Sequence, residues 1–271
     1  MVAANVWPKP PRWQAAPGLA DPAQRWLWHS RPRFILPLWE PASAGAAQRY
    51  QQIGRGGRVW GLFNGAAAAR TRYGPVVNIP TTNGAEIETL GADLSFSSNE
   101  SYTFAFLLRM ATAGGTQHIW RSGTSSTGNH ILWIATATPN YRHSGSGTAQ
   151  IAGSALTAGA WHTVVQTWRP GQMALYQDGL LVNSSTAAAV ATSDAFVVRR
   201  FGWGFSTSQD FHGDIALIVC CASAWTPAMV ARWHADPFGF LRPWEHPSLI
   251  SSASPPLPPS TGTGVVVCIM G

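Results

Sequence analysis

Lysine is almost missing: Lys9 is the only one in 271 residues, and the other seventeen cations are arginines. Charged side chains of both signs reach only 11%, against about 25% in an average globular protein. Cysteine is scarce too. Cys220, Cys221 and Cys268 are an odd number with two adjacent, which gives neither a disulfide framework nor zinc-ligand spacing. Neighbouring strand residues point to opposite faces, so Cys220 and Cys221 are expected to pack as small hydrophobes. No apolar run approaches the roughly 18 residues a membrane span needs. The opening MVAANVWPKPPRW has no apolar core of a secretory signal. The net charge of +6 is spread over single arginines and pairs such as Arg31/Arg33, Arg55/Arg58, Arg70/Arg72 and Arg199/Arg200. Nucleic-acid binders gather their charge on one face, so nucleic acid is not an expected partner. Nor is a membrane.

Tryptophan (14), proline (20) and glycine (27) are plentiful, and they divide the chain into three zones. Residues 1–60 hold eight prolines in the first forty-one positions, which forbids long helices and central strands. This zone also carries Trp7, Trp13, Trp26, Trp28, Phe34 and Trp39. An aromatic arm without a core of its own is expected to lie along its own domain or a neighbouring subunit, so these six are candidate intersubunit contacts. Residues 61–243 alternate with period 2. In YTFAFLLRM, Tyr102, Phe104, Phe106, Leu108 and Met110 share one face. Strand-length segments follow at 130–136, 161–168, 196–203 and 214–222, with Asp178-Gly179 as a tight hairpin turn. The spacing predicts an all-β, antiparallel β-sandwich. One short helix is expected near its end, capped by Thr226 with Pro227 at the first helical position and stopped by Asp236-Pro237. Residues 244–271 are a Pro/Ser-rich tail ending in VVVCIMG. There Val265, Val266, Val267 and Ile269 are expected to add a strand to a sheet edge, more readily a neighbour's.

Several segments together carry a resemblance. GPVVNIPTTNGAEIETL resembles the opening strand pair of the laminin-G-like, or concanavalin A-like, jelly-roll family. YTFAFLLRM resembles its long core strand, WHTVVQTW its strand that begins with Trp-His, MALYQDGLLVN the tyrosine–aspartate–glycine hairpin that follows, and FHGDIALIVCCASAWTPAMVARWHADPF its closing strand and helix. The ending ADPFGFLRP is similar to the close of such domains in tailed-bacteriophage structural proteins. The resemblance covers about two-thirds of the chain and implies a concanavalin A-like sandwich.

The family includes glucanases, which work with paired carboxylates on one strand. Here Glu86-Ile87-Glu88 lacks a third acid, so the pair is expected to be solvated on an outer face and the protein not to be an enzyme. Calcium is a possible passenger of the fold, with Asp178, Asp194, Asp210 and Asp214 as contributors. No cofactor is otherwise expected. The six histidines from His118 to His234 never stand at metal-ligand spacing, and His162 is expected to face solvent. Sugars stack on exposed aromatics beside amide donors, which makes Trp120, Asn129, Trp133, Tyr141 and Trp203 candidate glycan-binding residues. Weighed together, the sequence predicts a non-enzymatic structural protein of a tailed-phage virion, decorating or cementing the capsid or attached to the tail. Its expected partners are copies of itself (most simply a trimer) and the major capsid or tail proteins. The alternative is a lectin-like adhesion module for host surface glycans, with a glucanase as a remote option.

Overall fold

A computed structural model describes residues 26–38, 49–51, 59–71, 74–80, 84–91, 93–122, 130–144, 147–204 and 209–239. A short helix α1 (Trp26–His29) is followed by β1 (Pro32–Pro37), β2 (Arg49–Gln51), β3 (Val59–Phe63), β4 (Ala67–Thr71), β5 (Gly74–Ile79) and β6 (Glu86–Thr89). Next come β7 (Leu94–Phe96), β8 (Tyr102–Met110), β9 (Thr116–Arg121), β10 (Ile131–Ala135), β11 (Thr138–Ser144) and β12 (Thr148–Ala152). The chain continues through β13 (Trp161–Arg169), β14 (Gln172–Gln177), β15 (Leu180–Ser185), β16 (Phe196–Val198), β17 (Arg200–Phe201), β18 (Gly213–Cys221) and α2 (Pro227–Ala235).

Two eight-stranded antiparallel sheets face each other. The first runs β15-β14-β13-β8-β18-β5-β4, with β1 also paired to β18; the second runs β12-β11-β10-β9-β17-β6-β3-β2. A small third sheet joins β7 to β16. The opening segments β5 and β6 therefore enter different sheets, and the 196–203 segment splits between the third sheet and the second.

Alternation explains the core. Strand β8 lies between β13 and β18. Its Tyr102, Phe104, Phe106, Leu108 and Met110 enter the cluster between the sheets, while Ala105 and Leu107 enter a second cluster on the outer side. Both faces are buried, so the strand reads as an almost unbroken apolar run. On β18, Cys220 faces the inner cluster and Cys221 the outer one, both as buried free thiols. The strand starts at Gly213, where φ is +153° and an added Cβ would strike the Arg109 carbonyl oxygen; only glycine fits there. Asp178 (φ 48°) and Gly179 (φ 83°) make the β14–β15 turn. Thr226 caps α2 by accepting from Met229 N at 3.3 Å, and Val230 and Trp233 are its buried residues.

In the first zone the described part of the arm lies along its own domain, the first of the two alternatives, and one candidate intersubunit contact is corrected. Strand β1 pairs with β18 of its own chain, because the half of β18 beyond the three residues paired to β5 would otherwise be an open edge. Phe34 is fully buried in the chain's own core, 5.3 Å from Trp60 and 5.9 Å from Phe201, so it is no intersubunit contact. Trp26 packs edge-on against Trp225 at 5.3 Å. A boundary at residue 60 falls inside β3. Trp7, Trp13, Trp39 and the tail residues Val265, Val266, Val267 and Ile269 lie outside the described residues, as does the side chain of Trp28.

A polar knot sits within the core. Tyr102 Oη lies 2.7 Å from Tyr141 Oη, 3.2 Å from His130 Nδ1 and 3.3 Å from His143 Nδ1, and His143 Nε2 reaches the Thr192 carbonyl at 2.8 Å. Burial drives the His130 pKa down to about 3, helped by His143, and lowers His143 as well. Burial likewise raises both tyrosines. These four are neutral constituents of the core at pH 7.

Candidate functional site

The outer faces of the two sheets differ in kind. That of the first is largely covered: α1, α2 and the turn after it bring Leu27, Trp225, Val230, Trp233 and Phe238 onto Leu107, Val165 and Val219. A cleft of about 200 Å³ remains beside α2, lined by Thr167, Arg169, Tyr176, Leu181 and Trp225.

The second sheet's outer face is polar and cationic. Cross-strand register places Arg142 opposite Ile131 and Gln150, Ile131 opposite Arg121, and Trp133 opposite both Asn140 and His118. The Arg142 guanidinium lies over the Trp133 ring, 5.6 Å from its centroid. Trp203 is bracketed by Arg200 at 4.8 Å and Arg121 at 5.7 Å. Gln150 donates to Asn140 Oδ1 at 3.5 Å, and Asn140 donates to the Thr138 carbonyl at 2.8 Å. Trp133 and Trp203 are partly exposed, and the indole–guanidinium pairs hold their planes in place. Burial and the charges of Arg121 and Arg142 push the His118 imidazole down to about 4.

Further along, Glu88 pairs with Arg200 across β6–β17. Glu86 and Glu88 are 5% and 9% exposed, not solvated as expected, because Arg200 Nε reaches both (3.3 and 3.2 Å) and Arg199 Nε takes Glu88 at 2.5 Å. Burial raises the Glu86 carboxyl to about 7, against the pull of Arg200.

The predicted glycan residues divide. Trp133 and Trp203 stand on this face. Trp120 and Tyr141 are fully buried and cannot stack on a sugar. Tyr141 pairs with Leu132 and Ile151 on the inner side. Trp120 is turned inward by a break in β9–β10 register: Leu132 pairs with Trp120 and Trp133 with His118, skipping Ile119. Asn129 lies outside the described residues. Sequence reasoning missed His118, Arg121, Asn140, Arg142 and Gln150. The signal for Asn140 and Arg142 was there, since they flank Tyr141 and so share the face opposite to it.

The four candidate calcium carboxylates stand apart, each with its own contact. Asp178 Oδ2 meets His162 Nδ1 at 2.8 Å and its Oδ1 accepts from Thr163 N at 3.0 Å. His162 is thus tied to a carboxylate rather than turned to solvent. Asp210 is fully buried and accepts from Gly84 N and Gly204 N. Asp214 holds Arg109 and Asn78, and Asp194 accepts from Ser144 Oγ at 3.3 Å. Among the described residues no three His, Cys, Asp or Glu side chains gather as a metal site, and no helix is long and apolar enough to cross a membrane.

A family model described as the Concanavalin A-like lectin/glucanases superfamily matches residues 79–231. No curated protein matches. Among solved structures, the binding domain of Paraclostridial Mosquitocidal Protein 1 superposes with a TM-score of 0.56 at 11% identity, over 75% of this chain and 52% of that one. The botulinum neurotoxin serotype D/C binding domain gives 0.56 at 9% identity, over 77% and 52%. Trypanosoma rangeli sialidase with the inhibitor DANA gives 0.55 at 13%, over 74% and 32%. The chain thus spans about half of the toxin domains and a third of the sialidase, and the likeness is one of fold.

Proposed function

The chain belongs to the Concanavalin A-like lectin/glucanases superfamily, and on that footing we propose that it is a non-catalytic recognition module that binds glycan on the outer face of its second sheet. The observation that carries this reading is the row of Trp133, Asn140, Arg142 and Gln150, flat stacking or hydrogen-bonding groups from three adjacent strands on a face that no helix among the described residues covers. Pyranose rings stack on indole faces while amides and guanidiniums meet their hydroxyls. The similar toxin structures are named as binding domains, which agrees with this reading. Hydrolysis fits less well. Retaining catalysis needs a free nucleophile about 5–5.5 Å from an accessible acid, whereas Glu86 and Glu88 share one arginine and are buried. A glycan array probed with the full chain and with Trp133→Ala tests the proposal. Binding lost in the variant at unchanged fold supports it; binding that survives the substitution places the site elsewhere.

A second reading concerns location. The closing Ala235-Asp236-Pro237-Phe238 and the residues after it support placement on a tailed-phage particle, as a decoration or tail component beside the capsid proteins. Docking of β1 on its own sheet removes one of the arm's reasons to seek a neighbour, so recognition takes precedence over cementing. Mass spectrometry of purified particles tests the placement by detecting the chain at a fixed copy number relative to the major capsid protein.

A further inference from the structure

The charges on the second sheet's outer face are divided unevenly. On the β6–β17 side, Glu86, Glu88 and Asp93 meet Arg199 and Arg200. On the β9–β12 side the carboxylates that approach, Asp194 at Ser144 and Asp210 beside His118, form no ion pair with an arginine among the described residues. The sequence holds no Asp or Glu between Glu100 and Asp178, a stretch that includes all four of these strands and the segments joining them. Arg142 forms no ion pair among the described residues, and its Nε is buried without a hydrogen-bond partner. His118 is more than nine-tenths buried, stands opposite Trp133 in the register, and also leaves its Nδ1 unpartnered. Burial and the neighbouring charges of Arg121 and Arg142 hold this imidazole neutral, which leaves it able to donate or accept a hydrogen bond at pH 7. The Nε is closed to a ligand, and the terminal Nη1 and Nη2 of the half-buried Arg142 are the planar fork that carboxylates match in two parallel hydrogen bonds. Small residues continue the face: Ala135 stands between Thr116 and Thr138 in the adjoining register row, a shelf low enough for a sugar ring beside Trp133.

We propose that this half of the face selects acidic glycans, with Arg142 receiving the carboxylate of a uronic- or sialic-acid residue and Trp133 carrying its ring. The inference rests on the glycan-binding reading above and sharpens it to a ligand class. The probes are oligogalacturonate, oligoglucuronate and sialyllactose, each immobilised beside its carboxyl-reduced form and offered to the full chain. At least one acidic probe binds about tenfold or more tightly than its reduced form, the worth of a charge-assisted hydrogen-bond pair. Arg142→Gln abolishes that preference, bringing each acidic probe down to the affinity that the same variant has for its carboxyl-reduced form, and Arg142→Lys recovers the preference only in part, since an ammonium lacks the fork. Trp133→Ala weakens acidic and reduced forms alike. Circular dichroism and thermal melting of each variant separate lost binding from lost fold. Equal affinity for every acidic probe and its reduced partner overturns the acidic-ligand inference and leaves glycan binding standing. Binding to none of them overturns both.

Discussion

The two sheets of this sandwich share one core but treat their outer faces in opposite ways. Outside the first, Leu107, Val165, Val219 and Cys221 lie under Leu27, Trp225, Val230 and Trp233, so the chain closes its own apolar surface. Outside the second, residues at equivalent alternating positions are Arg121, Trp133, Asn140, Arg142 and Gln150. A sheet needs only one buried face to be stable, so the second face is free to be chemically specific. The same tryptophan can therefore be structure or site according to which side of β9–β10 it falls, and a single skipped residue, Ile119, decides it.

The strongest way to break this contrast is to truncate one indole on each side. Trp120 is fully buried, stacked on Phe104 at 4.3 Å, and Trp120→Ala should cost about 3–5 kcal/mol from lost burial plus the cavity left behind. Urea unfolding followed by circular dichroism measures it. A loss below 1 kcal/mol would mean that Trp120 is not a core residue and that the register break is misplaced.

Acid should separate the two sides next. His118 is held to about 4 and His130 to about 3, both first by burial, and His143 is also depressed. The unfolded chain takes up these protons near pH 6.5 and the native chain does not until far lower. Their effect is absent above 6.5, and stability falls as the pH drops from there toward 3–4. Glu86 has the opposite sign. Its native carboxyl is raised to about 7, so the stability it adds is full below about 4.5 and is lost as the pH rises toward 7. With three histidines against one glutamate, the urea midpoint should decline between pH 6.5 and 4. His130→Phe, which keeps the ring 4.3 Å from Phe196, should flatten that decline, and Glu86→Gln should steepen it. A midpoint independent of pH across this window would contradict the buried, neutral state of the polar knot.

A smaller effect sits on the covered side. Thr226 accepts from the backbone of Met229 at the start of α2, and removing such a cap costs about 1 kcal/mol. Thr226→Ala should lower stability by that amount and expose the Trp225–Trp233 pair to quenchers, read by fluorescence. No change in either would detach α2 from the stability of the first sheet.

Much of this was legible from the chain alone. The alternation of β8, the opposite faces of Cys220 and Cys221, the Asp178-Gly179 turn and the Thr226–Pro227 helix start are local patterns, and each is where the pattern put it. What was illegible depends on pairing between distant segments. Nothing local shows that Phe196–Val198 and Arg200–Phe201 enter different sheets, or that Arg200 stands across from Glu88 and draws both glutamates into burial. The candidate site suffered most, because an aromatic residue on a strand serves the core on one face and a binding surface on the other. Trp133 and Trp203 fall on the open face, Trp120 and Tyr141 are buried in the core, and the arginines beside them went unnamed until their partners were in register.

The smallest effect tests the exposed side itself. Trp133 is partly exposed and pairs with Arg142 through its ring face, and such contacts at solvated sites contribute about 0.5–1 kcal/mol. Trp133→Ala should therefore destabilise by no more than about 1 kcal/mol, several-fold less than the same truncation at Trp120. Arg142→Gln should cost about as little, since Asn140 and Gln150 keep their own hydrogen bond without it. If guanidinium and indole support one another, the two substitutions are not additive, and a double-mutant cycle returns a coupling of about 0.5 kcal/mol. Zero coupling would mean that Arg142 spends its time over solvent rather than over the ring. The carboxylate fork inferred for it would then have to be assembled by the ligand, and acidic and neutral sugars would differ in affinity by less than the tenfold expected of a preformed site.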